Sequence, residues 1–376
     1  MLEMSRLPCP ARSAFHPAAV PDAEPAPARP VRLERDVLTL DDGHRVGVAI
    51  AGRGVPFVVV HGFGVESLLY AQPLSRLAAL GLQVVAIDVA GHGETQRLGG
   101  VPSFGDYARL LERSIDRLGI RHAILAGHSM GGRLVAEVAA NRPERAIGVV
   151  LLDAILGEQW ERLRTLLRWS PPALLAYGTL FMVDAAGTIP LLVDVRQALK
   201  LGSRVGRSVN LQIARPWRAL APGQAVLRAG RGDDLLDRLR SAGVPVTVVH
   251  GDRDLMVPYS AGRDTARRVG GDLVRVRGGS HSWLLRCPET LPAIIGELLE
   301  GRLGEARDEA LSASGCDPAT ATFDEMEAAC TQKGGLAAAL GTAHEVMTLP
   351  TVRRRPRFHW ILHPAVRPPV WTSGEP

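Results

Sequence analysis

From Val37 to Leu299 the chain alternates short apolar runs with stretches of helical spacing, and this alternation restricts the fold more than any other feature. Segments 37–40, 45–50, 57–60, 82–87, 123–126, 147–152, 246–249 and 273–276 read as strands. Segments 67–80, 106–118, 130–141, 260–269 and 291–299 carry apolar residues at helical intervals. Most of the strands are almost continuously apolar, as a parallel sheet covered by helices on both faces requires. The expected fold class is therefore α/β, a doubly wound and mostly parallel sheet. Ligands of such sheets sit beyond the carboxyl ends of the strands. His61, Asp88, Ser129, Asp153, Asp254 and His281 all fall at or just past predicted strand ends.

The pattern fails in three places. Residues 1–34 are rich in Pro and Ala and hold no continuous apolar run, so they are expected to lie outside the fold and to lack a secretory signal. Residues 155–235 interrupt the alternation between the core segments 35–154 and 236–300, and read as a helical cap inserted after the sixth strand, with helical pieces near 158–169 and 194–205. Within the cap, 169–193 carries one charge, Asp184, but Pro171, Pro172, Pro190, Gly178 and Gly187 argue against a membrane span. Its apolar residues Leu174, Leu175, Tyr177, Leu180, Phe181, Met182, Ile189, Leu191 and Leu192 are expected to line a pocket, and the same segment is a candidate for peripheral contact with a bilayer. The extension 301–376 divides into a half of net charge −5 (301–349) and a half of net charge +4 (350–376). It does not continue the sheet pattern and reads as a solvated appendage.

Charge and cysteine usage exclude other classes. The excess of +5, from 44 bases against 39 acids, is spread along the chain, whereas a nucleic-acid binder concentrates it in a patch. Cys9, Cys287, Cys316 and Cys330 are too scattered for a disulfide framework or a zinc cluster; Cys316 with Cys330 is the best pairing, and free thiols fit better. The histidines lack metal-ligand spacing, so neither metal nor cofactor is expected. The protein is expected to be cytoplasmic.

The chemistry concentrates in Gly127-His128-Ser129-Met130-Gly131, a G-x-S-x-G sequence between a predicted strand and a predicted helix. A turn that tight leaves no room for side chains two residues either side of the serine, hence the glycines. Together with His61-Gly62-Phe63-Gly64, Asp88-Val89-Ala90-Gly91-His92-Gly93, Gly251-Asp252-Arg253-Asp254 and Gly279-Ser280-His281, the motif resembles the α/β-hydrolase fold superfamily, in its serine esterase and lipase-like branch, over roughly residues 35–300. The resemblance implies Ser129 as nucleophile, His281 as general base and Asp254 as its acid, with Asp153 an alternative acid. It implies an oxyanion hole from the backbone N–H groups of Phe63 and Met130. Its other histidines, His61, His92, His128 and His250, are expected to build loops, and Asp88 to tie one down. A serine at this place favours acyl transfer, because an alkyl ether of serine, unlike an alkyl ester of aspartate, resists hydrolysis. The expected substrate is a small apolar ester. Thioester, perhydrolase and carbon–carbon chemistry remain open, as does a receptor role with little turnover.

Overall fold

The computed structural model describes residues 33–187, 217–341, 356 and 358–365. Nine strands form one sheet: β1 (Glu34–Thr39), β2 (Arg45–Ala51), β3 (Val55–Val60), β4 (Leu82–Ile87), β5 (Ala123–His128), β6 (Ala146–Leu152), β7 (Val246–Gly251), β8 (Asp272–Val276) and β9 (Trp360–His363). Their spatial order is β1-β2-β4-β3-β5-β6-β7-β8-β9. Neighbours from β4 through β8 pair in parallel, while β1, β2 and β9 add antiparallel edges. The expected mostly parallel α/β sheet is thus the fold. Strands β3, β4 and β5 are buried along their whole length, which accounts for their unbroken apolar sequence. Two apolar clusters form the core. One contains Leu111, Ile115 and Leu134, the other Leu74, Leu77 and Ile295.

Between β6 and β7 the chain leaves the sheet through helices Glu158–Trp169, Pro171–Gly187, Trp217–Arg228 and Asp233–Ser241. Two prolines open the second of these, where a missing N–H costs no intrahelical bond. The predicted helix at 194–205, together with Ile189, Leu191 and Leu192, lies outside the described residues, as do residues 1–32. The cap is bolted to the core by a buried ion network. Arg133, on helix Met130–Asn141, pairs with Glu161 at 3.3 Å and donates to the Gly230 carbonyl at 2.6 Å. Glu161 also receives Arg164 at 2.6 Å and the Gly232 N–H at 3.1 Å.

The pocket-lining expectation for the cap needs correction. Leu174, Leu175, Leu180 and Met182 point outward, Leu175 being 76% exposed. A helix presents residues three and four apart on one face, and among the described side chains of Pro171–Gly187 the larger ones turned inward are Tyr177, Phe181 and Asp184. No described helix is long and apolar enough to cross a membrane.

The extension also differs from its expectation. Helix Arg302–Ala313 buries Leu303 and Leu311, and helix Phe323–Cys330 buries Cys330. Full burial of a leucine stabilises by about 1.5–3 kcal/mol, so these helices are part of the core. Leu303 fits over β6 because position 148 is glycine; a Cβ there would lie 2.5 Å from Leu303 Cδ1. Arg53 pairs with Glu327 at 3.3 Å. Beyond this, β9 pairs antiparallel with β8 and caps the sheet edge. Far from being an appendage, the extension completes the sheet. Cys316 and Cys330, the pairing weighed from the sequence, are free thiols.

Candidate active site

The elbow forms where β5 ends. Ser129 adopts φ 53°, a left-handed conformation unfavourable for a side chain, and helix Met130–Asn141 starts at the next residue. A Cβ at Gly127 would lie 2.2 Å from the Gly131 carbonyl oxygen, and one at Gly131 would lie 2.2 Å from the Val60 oxygen. Only glycine permits so close an approach. The Ser129 N–H donates to the Leu152 carbonyl at 2.8 Å, fixing the elbow to β6. Among the described non-glycine residues, Ser129 and Asp153 alone have positive φ, and both belong to this site. Strain of this kind concentrates where function demands a geometry.

His281 and Asp254 meet directly. His281 Nδ1 donates to Asp254 Oδ2 at 2.7 Å, and both groups are buried. Asp254 Oδ1 accepts the N–H groups of Met256 (2.7 Å) and Val257 (2.8 Å). Burial opposes ionisation of Asp254, but the imidazoles of His281 and His250 outweigh it and hold the carboxyl below the usual carboxylate range. Burial likewise opposes the His281 imidazolium, yet the Asp254 carboxylate raises its pKa to about 9.

Asp153 is engaged elsewhere. Its oxygens accept the Gly251 N–H at 2.8 Å and the Trp283 indole N–H at 2.7 Å. It is fully buried, and burial pushes its carboxyl pKa up. It therefore anchors the segment just past His281, and its oxygens bond to those two donors.

His128 shows what the sequence left hidden. Its Nε2 lies 2.8 Å from the His281 carbonyl oxygen, which can only accept, so Nε2 carries the proton. Nδ1 then accepts the Tyr70 hydroxyl at 2.9 Å. Burial pulls the His128 pKa down to about 3 and keeps the ring neutral. The residue before Ser129 thus holds the main chain of His281. His61 and His92 build loops as expected: His61 Nε2 accepts the Val89 N–H at 2.9 Å, and His92 Nε2 accepts the Gly64 N–H at 3.1 Å. Asp88 Oδ1 receives the N–H and hydroxyl of Ser67 at 2.8 and 2.6 Å.

The loop after β3 passes over the elbow. A Cβ on Gly62 would lie 3.2 Å from Ser129 Cβ, so the backbone just before Phe63 runs close against Ser129. Met130 is the first helical residue, and N–H groups in a first turn lack an intrahelical acceptor. Phe63 itself packs under the cap, its ring 3.5 Å from where a Cβ of Gly223 would stand.

Ligand atoms of Asp153, His250 and Asp254 lie within 4.8 Å of one another, a spacing a cation could use. Hydrogen-bond partners within the protein already engage these atoms. His250 Nε2 donates to the Val257 carbonyl at 2.9 Å, and the two aspartates accept the bonds described above. The trio is better described as an internal charge network than as a metal centre.

Comparison with known proteins places this geometry in context. A family model described as serine aminopeptidase, S33, matches residues 55–285. A protein of Mycobacterium phage D29 named as a non-heme haloperoxidase is 34% identical over 267 residues, covering 70% of this chain and 94% of its own. The 2-hydroxymuconate semialdehyde hydrolase of Pseudomonas putida is 26% identical over 282 residues, covering 69% and 90%. In fold, the chain resembles the esterase RhEst1 from Rhodococcus sp. ECU1013, with a TM-score of 0.57, 23% identity and coverage of 71% and 98%.

Proposed function

The chain belongs to the S33 serine aminopeptidase family of α/β-hydrolase enzymes, and from that premise we propose that it hydrolyses a carboxylic ester with an apolar acyl or alcohol group. The observation that carries this reading is the Asp254–His281 pair at 2.7 Å, held against a strained serine elbow. With Nδ1–H donated to Asp254, the other ring nitrogen, Nε2, is the one to exchange protons. It takes the Ser129 hydroxyl proton as Oγ bonds to the ester carbonyl carbon, and the N–H groups of Phe63 and Met130 receive the developing oxyanion. The carbon–oxygen bond to the alcohol breaks and His281 returns the proton to the leaving alcohol. Water then repeats the sequence on the acyl-enzyme, releasing the acid and restoring Ser129. Phe63, Tyr177 and Phe181 supply the apolar surroundings that favour an apolar substrate.

A fluorophosphonate probe followed by p-nitrophenyl esters of increasing chain length tests the reading, with Ser129→Ala as control. Labelling and turnover that vanish in Ser129→Ala support it. A wild-type protein that is neither labelled nor active points instead to a receptor role. A second reading, perhydrolysis, draws support from the likeness to the phage protein. Hydrogen peroxide would replace water at the acyl-enzyme and release a peracid, detectable by halide oxidation in the presence of a carboxylic acid.

The cap surface supports peripheral contact with an anionic bilayer. Trp169, Leu175, Met182 and Val183 are exposed there, and the Arg168 guanidinium stacks on the Trp169 ring at 5.2 Å. Aromatic and basic side chains of this kind suit a lipid interface. Co-sedimentation with phosphatidylglycerol vesicles, lost in a Trp169→Ser/Leu175→Ser double variant, is the expected result; no co-sedimentation of the wild type excludes the contact.

A further inference from the structure

One helix of the cap reaches all three loops of the site. Tyr177 donates its hydroxyl to the Met256 carbonyl at 3.1 Å, and the Met256 N–H in turn binds Asp254. The tip of the Phe181 ring lies 3.7 Å from where a Cβ of Gly64 would stand, next to the loop that carries Phe63. Asp184, only 8% exposed, accepts the His281 N–H at 3.3 Å and the Ser282 hydroxyl at 3.1 Å. These contacts explain why the only charge between Trp169 and Val193 faces inward.

We infer that Asp184 is a positioning residue, through which the cap holds His281 in its working orientation. The peptide groups flanking His281 are gripped from two sides. His128, on the elbow, donates to its carbonyl oxygen, and Asp184, on the cap, accepts from its N–H. The ring is set by Asp254 through Nδ1. If the cap lifts, one of these three constraints is lost, and the histidine loop gains freedom just where the chemistry tolerates little. The inference rests on the acyl-transfer reading only for its kinetic consequence; the electrostatic one stands without it.

Asp184 adds a second negative charge beside the imidazolium that forms in each half-reaction. The charged and titratable groups facing His281 are Asp254 from the acid loop, Asp153 from the end of β6, His128 from the elbow and Asp184 from the cap. Burial pushes the Asp184 carboxyl up, and the His281 imidazolium opposes that rise. Removing its charge leaves the imidazolium with one fewer stabilising neighbour.

Asp184→Ala, Asp184→Asn and Tyr177→Phe test this in the full chain. The expected result for Asp184→Ala is a fall in kcat and in fluorophosphonate labelling of about 10- to 100-fold with KM nearly unchanged, the size that misplacement of a catalytic group produces. Asp184→Asn keeps an oxygen to accept the His281 N–H, so it recovers most of kcat. Its kcat/KM profile nevertheless moves its acidic limb to lower pH. The same shift is expected in the His281 ring titration followed by NMR, which needs no turnover and no substrate. Tyr177→Phe, which loses only the hydroxyl, lowers kcat less than Asp184→Ala. Unchanged kcat in Asp184→Ala, or an unmoved His281 titration in Asp184→Asn, overturns the inference. If Asp184→Ala fails to fold, the titration in Asp184→Asn still decides. A wild type that neither labels nor turns over overturns the acyl-transfer reading instead, and leaves the titration as the judge of Asp184.

Discussion

Strands β6 and β7 lie side by side and each leads into a buried aspartate, Asp153 and Asp254, yet the two carboxyls have opposite character. Asp254 accepts from His281 and from two backbone N–H groups, and stays ionised. Asp153 accepts one backbone N–H and one indole N–H, and burial favours its neutral form. Neither burial nor residue type separates them. A direct hydrogen bond from an imidazole does: His281 lies 2.7 Å from Asp254, whereas the nearest imidazole to Asp153, His250, stands 3.9 Å away, too far to offset the cost of burying that carboxylate. The difference teaches that the acid of such a site is identified by what its oxygens touch.

The comparison can be broken most directly by exchanging each acid for its amide. Asp254→Asn should lower kcat by about 10⁴-fold, the loss typical when the orienting acid of a triad becomes an amide. Asp153→Asn should cost less than about tenfold in the same ester assay; a larger loss there would reverse the assignment. The pH dependence of kcat/KM sharpens the contrast. With the His281 pKa raised to about 9, the neutral base accumulates only as pH climbs, so kcat/KM should rise from neutral pH toward about 9. A profile already flat at neutral pH would refute the raised pKa of His281.

Smaller effects concern stability. Trp283→Phe removes the indole donor and leaves a buried Asp153 oxygen short of a partner, at a cost of about 1–3 kcal/mol in denaturant unfolding. Asp153 itself should make stability depend on pH. A folded-state pKa above the unfolded value means that the folded protein binds this proton more tightly. The associated stability is complete below the unfolded value of 3.8 and is lost as pH rises through the raised folded value. Thermal melting across the neutral range should therefore slope downward with pH in the wild type and less so in Asp153→Asn. Equal slopes would show that Asp153 is ionised throughout.

Much of the sheet was legible because its signals are local. A run such as Val84-Val85-Ala86-Ile87 carries its own burial, and the elbow glycines record a steric conflict among near neighbours. The strand Trp360–His363 was missed for the opposite reason. It is short, alternates half-buried with exposed residues, and follows a cluster of arginines, so nothing local distinguishes it from a loop; only the open edge of β8 makes it a strand. The cap misled in a related way. Leu174, Leu175, Leu180 and Met182 look like pocket lining by type, but the rotation of their helix sends them to the surface and brings Tyr177, Phe181 and Asp184 inward.

The sequence by itself determined the alternating α/β frame, the elbow at Ser129 and the order of candidate serine, acid and histidine, because each is written in neighbouring residues. The hydrogen bond that joins Asp254 rather than Asp153 to His281, the neutral His128 bridging elbow and histidine loop, and the inward turn of Asp184 were decided only by the tertiary structure. Each depends on which groups meet across strand ends and cap, and hydrogen bonding and charge act through distance in space rather than along the chain.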